Sequence, residues 1–250
     1  MFRIGCCLLG LICCSLSYAL ILENSASANA LNGCPLLSQS VCDYALSPVN
    51  GSYGLGSSYS SPFSIPGLHV FGLHTAFPSR WLGYALGTSY LSAEDYDLQS
   101  YYLNLHLKLG DILIGSNQHL EFEIISNDDT HIETKTDFGI RLGGRFPSEI
   151  SLLGLGSQDR IYSFSFGSHI SKRSFTAVTY RTDWDKDFIY CIASQYNITD
   201  GFRIMSSYQD EPTRFGAGIE LSVLNLRVLY AIRTHIELNL THAIDLSFDW

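Results

Sequence analysis

The stretch SYYLNLHLKL, residues 100–109, constrains this chain more than any other. Tyr101, Leu103, Leu105, Leu107 and Leu109 share one parity, and Ser100, Tyr102, Asn104, His106 and Lys108 share the other. Successive side chains of a strand point to opposite faces, so this segment predicts a strand with one apolar and one polar face. The same period of two recurs at 132–142, where Ile132, Thr134, Thr136, Phe138, Ile140 and Leu142 oppose Glu133, Lys135, Asp137 and Arg141. Tyr162, Phe164 and Phe166 oppose Ser163, Ser165, Gly167 and His169. Further alternation runs through Leu82–Leu86, Phe188–Ile192, Phe215–Val223, Leu226–Ile232 and Ile244–Trp250, with turn clusters such as Asn197–Gly201 between segments.

Several of these runs hold their alternation for about nine to twelve residues, longer than the usual five or six and close to what a tilted strand needs to cross a bilayer. A recurrence of roughly one strand per 15 to 18 residues predicts about 12 to 14 strands joined as hairpins, in an all-β, closed antiparallel transmembrane β-barrel. A closed barrel satisfies every backbone donor and acceptor internally, the condition for life in lipid. Alternation by itself does not tell which face is inside. The competing architecture is an exported soluble β-sandwich or β-barrel binding module with Leu105 inside and Lys108 in water. Long strands and aromatics near strand ends favour the membrane; there, the polar set faces the lumen. Lumen-facing candidates are Asn104, His106, Lys108, Glu133, Lys135, Asp137, Arg141 and His169.

The chain starts Met1-Phe2-Arg3, continues with an apolar run to Leu16 and reaches Ser17-Tyr18-Ala19, the layout of a signal peptide over residues 1–19. A second small-x-small site stands at Ala28-Asn29-Ala30. Residues 20–66 lack clear alternation and are rich in Ser, Gly, Tyr and Pro; they are expected to plug or cap a barrel formed by 67–250, with one strand near Gly51–Ser60. Four of the seven cysteines lie in the leader, leaving Cys34, Cys42 and Cys191. Cys34 and Cys42 could staple a local loop in an oxidising compartment, leaving Cys191 unpaired.

Glu133, Lys135, Asp137 and Arg141 interleave opposite charges on one strand face, which predicts cross-strand pairing that fills the lumen, with a selective path for a small polar solute as the alternative. The acidic run Asp183, Asp185, Asp187 begins like a calcium loop but places Phe188 where glycine is required and has no bidentate Glu at the twelfth position. His69 and His74 fall on opposite faces, and neither HExxH nor GxSxG occurs. No metal, cofactor or catalytic role is expected. A formal net charge of −9 with 15 Lys and Arg argues against nucleic acid as a partner.

The closing residues THAIDLSFDW resemble the C-terminal strand of bacterial outer-membrane barrels, in which a final aromatic is read by the barrel assembly machinery. This resemblance implies that Phe248 and Trp250 form the membrane-assembly signal and that the chain resides in the bacterial outer membrane. Glu211–Ile219, Leu226–Ile232 and Leu240–Trp250 together look like the closing strands of the PorV/PorQ group, relatives of FadL-type transport barrels. The nearest counterpart to that group's N-terminal Asn-Pro-Ala-Gly element is Ser47-Pro48-Val49-Asn50-Gly51. The resemblance implies a transport- or secretion-associated barrel with a largely closed lumen. Its expected partners are outer-membrane lipid, the assembly machinery, and secretion-system components or exported proteins.

Overall fold

The computed structural model describes residues 25–77, 81–93, 96–125, 130–157, 160–183, 188–235 and 238–250. Within them fourteen strands close into one antiparallel barrel. They are β1 (Gly54–Ser61), β2 (His69–Phe77), β3 (Leu82–Ala93), β4 (Tyr96–Leu109), β5 (Ile112–Ile125), β6 (His131–Leu142) and β7 (Ser148–Leu155). The ring continues with β8 (Ile161–Ser171), β9 (Ser174–Asp183), β10 (Ile189–Thr199), β11 (Phe202–Gln209), β12 (Arg214–Val223), β13 (Leu226–Arg233) and β14 (Thr241–Asp249). Each strand pairs with its neighbours in sequence, and β1 pairs with β14 to complete the ring. Among the described residues no helix is long and apolar enough to cross a membrane.

The apolar face is outside. Leu103, Leu105 and Leu107 are 41%, 48% and 43% exposed, whereas Asn104 and His106 on the alternate positions are 0% and 1% exposed. This is the reverse of what a soluble sandwich or binding barrel would show. Outward aromatics gather in two rows. Tyr59, Phe71 and Tyr90 stand opposite one another on β1, β2 and β3, as do Tyr180 and Tyr190, and Tyr208 and Phe215. Near the other end, Phe77 stacks on Tyr84 and packs against Trp250, while Phe146 stacks on Phe166. Paired aromatic girdles flanking an apolar band are what a barrel presents to the two interfaces of a bilayer. On that band, Leu55, Leu73, Leu86 and Tyr101 rim an apolar groove of about 380 Å³.

The barrel wall begins at Gly54, so the strand expected near Gly51–Ser60 runs over Gly54–Ser61 as part of the ring. Strand β1 reads GLGSSYSS, and its outward positions carry only Leu55, Ser57, Tyr59 and Ser61, so it has almost no hydrophobic contrast to detect. Its register with β14 and β2 supplies what its side chains do not. In β7, a bulge shifts the pairing between Thr136–Leu155 and Phe138–Leu152. Gly154 takes a φ of +72° there, a conformation a side chain would strain.

Residues 25–50 lie inside the ring, and only Gln39 among them is exposed. Ser25 caps a short helix, α1 (Ala26–Ala30), its Oγ accepting from Ala28 N at 2.9 Å. Single 3-10 turns follow at Pro35–Leu37 and Val41–Asp43. Helix α1 packs on β12, β13 and β14, the first 3-10 turn on β7 to β10, and the second on β1, β2 and β14.

Candidate functional site: the filled lumen

The inner face of β4 to β7 is polar and continuous. Asn104 and Asn117 stand directly opposite on β4 and β5, and Asn104 Nδ2 donates to Asn117 Oδ1 at 2.6 Å and to Pro48 O at 2.9 Å. Asn117 Nδ2 in turn donates to Tyr44 O at 2.7 Å, and His106 Nδ1 lies 2.8 Å from Asn104 Oδ1. Two main-chain carbonyls of the enclosed segment are thus satisfied by amides of the wall. Buried backbone acceptors need such partners, and the turns around residues 44–50 have few of their own.

Ionised groups complete this wall. His119 Nε2 donates to Asp137 Oδ2 at 2.6 Å, and Asp137 Oδ1 accepts from Gly154 N at 2.7 Å, so one carboxylate holds both an imidazole and the β7 bulge. Lys135 Nζ pairs with Glu121 at 2.7 Å and with Glu133 at 3.1 Å. Arg141 stands opposite Glu149 and grips Glu149 Oε2 through Nε and Nη2, at 2.8 and 2.7 Å, while Nη2 also reaches Pro35 O at 3.0 Å. Ser47 Oγ donates to Glu149 Oε1 at 2.8 Å, tying the enclosed segment to the same carboxylate. These are the cross-strand and diagonal neighbours that the sheet register brings within reach.

Opposite this wall, the inner face of β9 to β14 carries a patch of small and apolar residues, Ala177, Cys191, Ala193, Met205, Ala231 and Ala243, beside buried polar ones such as Gln195, Ser207, Glu220 and Arg233. Helix α1 seats here so closely that a Cβ on Gly216 would meet Ala30 O at 2.5 Å, and one on Gly218 would meet Ala30 Cβ at 2.7 Å. At the helix N-terminus, Asp245 Oδ1 accepts from Ala26 N at 2.8 Å and Oδ2 from Ser27 N at 3.4 Å, while Asp43 accepts from the hydroxyls of Ser25 and Ser38. Burial pushes the Asp43 carboxyl above its ordinary value, against the pull of those two hydroxyls.

The sequence-derived candidates separate into two groups. Asn104, His106, Lys135 and Asp137 are buried in the interior, and Arg141 reaches into it partly exposed. Glu133 is half-buried towards one mouth. Lys108 and His169 have the inward parity but are exposed, because β4 and β8 carry them past the filled zone to the end where the turns are short. There Lys108 N donates to Trp81 O, and the His169 ring lies 4.8 Å from that of Phe175. Phe248 and Trp250 stand on the outer face. Cys34 and Cys42 are not bridged to each other: all three cysteines among the described residues are buried thiols, with Cys34 against β9 and β10 and Cys42 against β1 and β2. The acidic positions 184–187, the Ser126–Asp129 turn and the leader lie outside the described residues.

Asn117, His119 and Glu121 were hidden in sequence because Ser116 and Gln118 occupy outward positions of β5 and flatten its contrast. Glu149 and Asp245 were hidden because only the register shows what they face. Ser58 and His74 do meet, with Ser58 Oγ 3.4 Å from His74 Nε2 and His74 Nδ1 3.0 Å from Tyr102 Oη. Ser58 and His74 are buried, at 2% and 1% exposure.

No protein-family model and no curated protein sequence matches the chain. Among solved structures it is similar to a Pseudomonas aeruginosa FadL homologue, with a TM-score of 0.63 and 8% identity over 90% of this chain and 98% of that one. It is also similar to the Acinetobacter baumannii outer membrane protein Omp33, with a TM-score of 0.55 and 7% identity over 80% of this chain and 99% of that one. At such identities the likeness is one of fold, and with the outward apolar band it agrees on one architecture. The chain is a closed, fourteen-stranded β-barrel of the bacterial outer-membrane kind.

Proposed function

We propose that the chain is an integral outer-membrane barrel of the transport class whose lumen is kept shut by its own residues 25–50. The observation that carries this reading is the enclosed segment itself: buried throughout except at Gln39, held by hydrogen bonds donated from β4, β5, β6 and β11 and by one that it donates to Asp245 of β14. Likeness to the FadL homologue supports passage of a solute over a purely structural barrel, and the PorV/PorQ-like closing strands support a partner among exported proteins or secretion components. Orientation follows from the turns. Gly110–Asp111, Lys172–Arg173, Asp200–Gly201 and Leu224–Asn225 are two-residue turns on the end that also holds Gly54 and Asp249, whereas 62–68 and 234–240 make longer connections at the other. Short turns and both strand termini belong at the periplasmic side. Phe248 and Trp250 serve as the assembly signal, so truncation before Phe248 should reduce insertion.

Planar-bilayer recording tests the closed lumen. Intact protein should be silent, and protein lacking residues 25–50 should give steady, porin-like conductance. Large, steady conductance from the intact protein would overturn the reading.

A further inference from the structure

The two thiols Cys34 and Cys191 come from distant parts of the chain and share neighbours in one buried cluster where the enclosed segment touches the wall. Thr179 Oγ1 donates to Cys34 Sγ at 3.0 Å, and Thr179 is the direct cross-strand partner of Cys191. Opposite residues on an antiparallel ladder hold their Cβ atoms about 4.5 to 5.5 Å apart. A second set of contacts converges on Leu31 O, which accepts from Cys34 N at 3.0 Å and from Cys191 Sγ at 3.4 Å. Both cysteines belong to the same buried cluster with Ala177 and Ala193. Cys42 does not share it: it packs with Val41, Tyr44, Ala76 and Ala85, and its Sγ lies where a Cβ on Gly56 of β1 would go.

From this placement we infer that Cys34 and Cys191 form a disulfide in the mature barrel, a covalent tether between the enclosed segment and β10. The inference rests on the reading that residues 25–50 stay in the lumen. The periplasm is a compartment where disulfides persist. The co-reactant is the disulfide of a periplasmic thiol oxidoreductase. One cysteine loses its proton and its thiolate attacks that disulfide, forming a mixed disulfide and releasing the donor's second sulfur as thiolate. The other cysteine, deprotonated in turn, attacks the mixed disulfide from the barrel side. A Cys34–Cys191 bond results, and the donor leaves as a dithiol carrying the two protons and two electrons. Burial raises the Cys34 thiol above its ordinary value and shields it, so the exchange belongs to the docking of the segment, before the cluster is sealed.

Peptide mapping under non-reducing conditions decides the matter. The protein without residues 1–19 is folded in detergent in a buffer of oxidised and reduced glutathione, denatured in the presence of N-ethylmaleimide, and digested. The expected map shows the peptides of Cys34 and Cys191 linked and Cys42 alkylated, and C42S gives the same linkage. Three alkylated cysteines, or a Cys34–Cys42 link, would overturn the inference. Planar-bilayer recording of C191S separates this outcome from the fate of the plug: a silent C191S barrel leaves the closed lumen standing even where the linkage is absent, and a conducting wild type removes the closed lumen itself.

Discussion

The two halves of the inner wall hold the enclosed segment with different balances of polar and apolar contact. Across β4 to β7 the wall offers amides, imidazoles and paired charges, and it meets the turns at 44–50, whose carbonyls need donors. Across β9 to β14 a patch of alanines, glycines, a methionine and a cysteine meets helix α1 and the first 3-10 turn, with Asp245 and Ser207 bonding the ends of the helix. The five-residue helix α1 needs partners only at its ends, from Asp245 and Ser207, and close approach along its flank, whereas the irregular turns need partners along their length. The polarity of each wall follows from the backbone it covers, so a lumen need not be uniformly polar to be filled.

Four substitutions probe that contrast, read by denaturant unfolding in lipid vesicles with tryptophan emission. Asp137→Ala should be the most damaging, by about 3 to 5 kcal/mol, because it removes the partner of buried His119 and the acceptor of Gly154 N together. A loss below about 1 kcal/mol would mean that the polar wall is not cohesive. On the outer face, Leu105→Arg should cost about 2 to 4 kcal/mol near the bilayer midplane. Its neighbour Asn104 is no tolerant control, since an arginine there would strike the enclosed turn at Pro48. Gly216→Val on the small-residue wall should cost about 1 to 3 kcal/mol through overpacking against Ala30, and should loosen helix α1 to protease while the barrel stays intact. Glu133→Gln should change stability by less than about 1 kcal/mol, because that side chain is 34% exposed and Lys135 keeps Glu121.

Strands with a strong outward apolar row, such as β4, β6, β12 and β14, were legible from alternation alone. Strand β1 was legible as a strand near Gly51–Ser60 but not as part of the wall, because Ser57 and Ser61 sit where apolar residues would announce a lipid-facing strand. The side of the barrel facing each interior residue was partly legible: parity put Asn104 and Asp137 inside but could not say how far along the axis the filling extends, which is why Lys108 and His169 emerge at a mouth. The enclosed segment was the least legible. Its apolar residues Leu31, Leu36, Leu37, Val41 and Val49 follow no single period, because each answers to a different strand of the surrounding wall. Spacing in sequence suggested Cys34 with Cys42, yet three-dimensional placement brings Cys34 to Cys191, a neighbour that only the ring can supply.

The seam between β1 and β14 also dictates an order of events. These strands are the most distant of the barrel in chain position, yet Gly54 pairs with Asp249 and Ser61 with His242. Joining them pays the largest loop-closure entropy of any ladder in the molecule, so it should come late. Residues 25–50 are tethered directly ahead of β1, and Asp245 on the last strand binds the start of helix α1. Zipping the seam and swallowing the N-terminal segment are therefore one step in time: until β14 arrives, helix α1 lacks its Asp245 anchor, and once β14 has arrived, the wall through which it could enter sideways is shut.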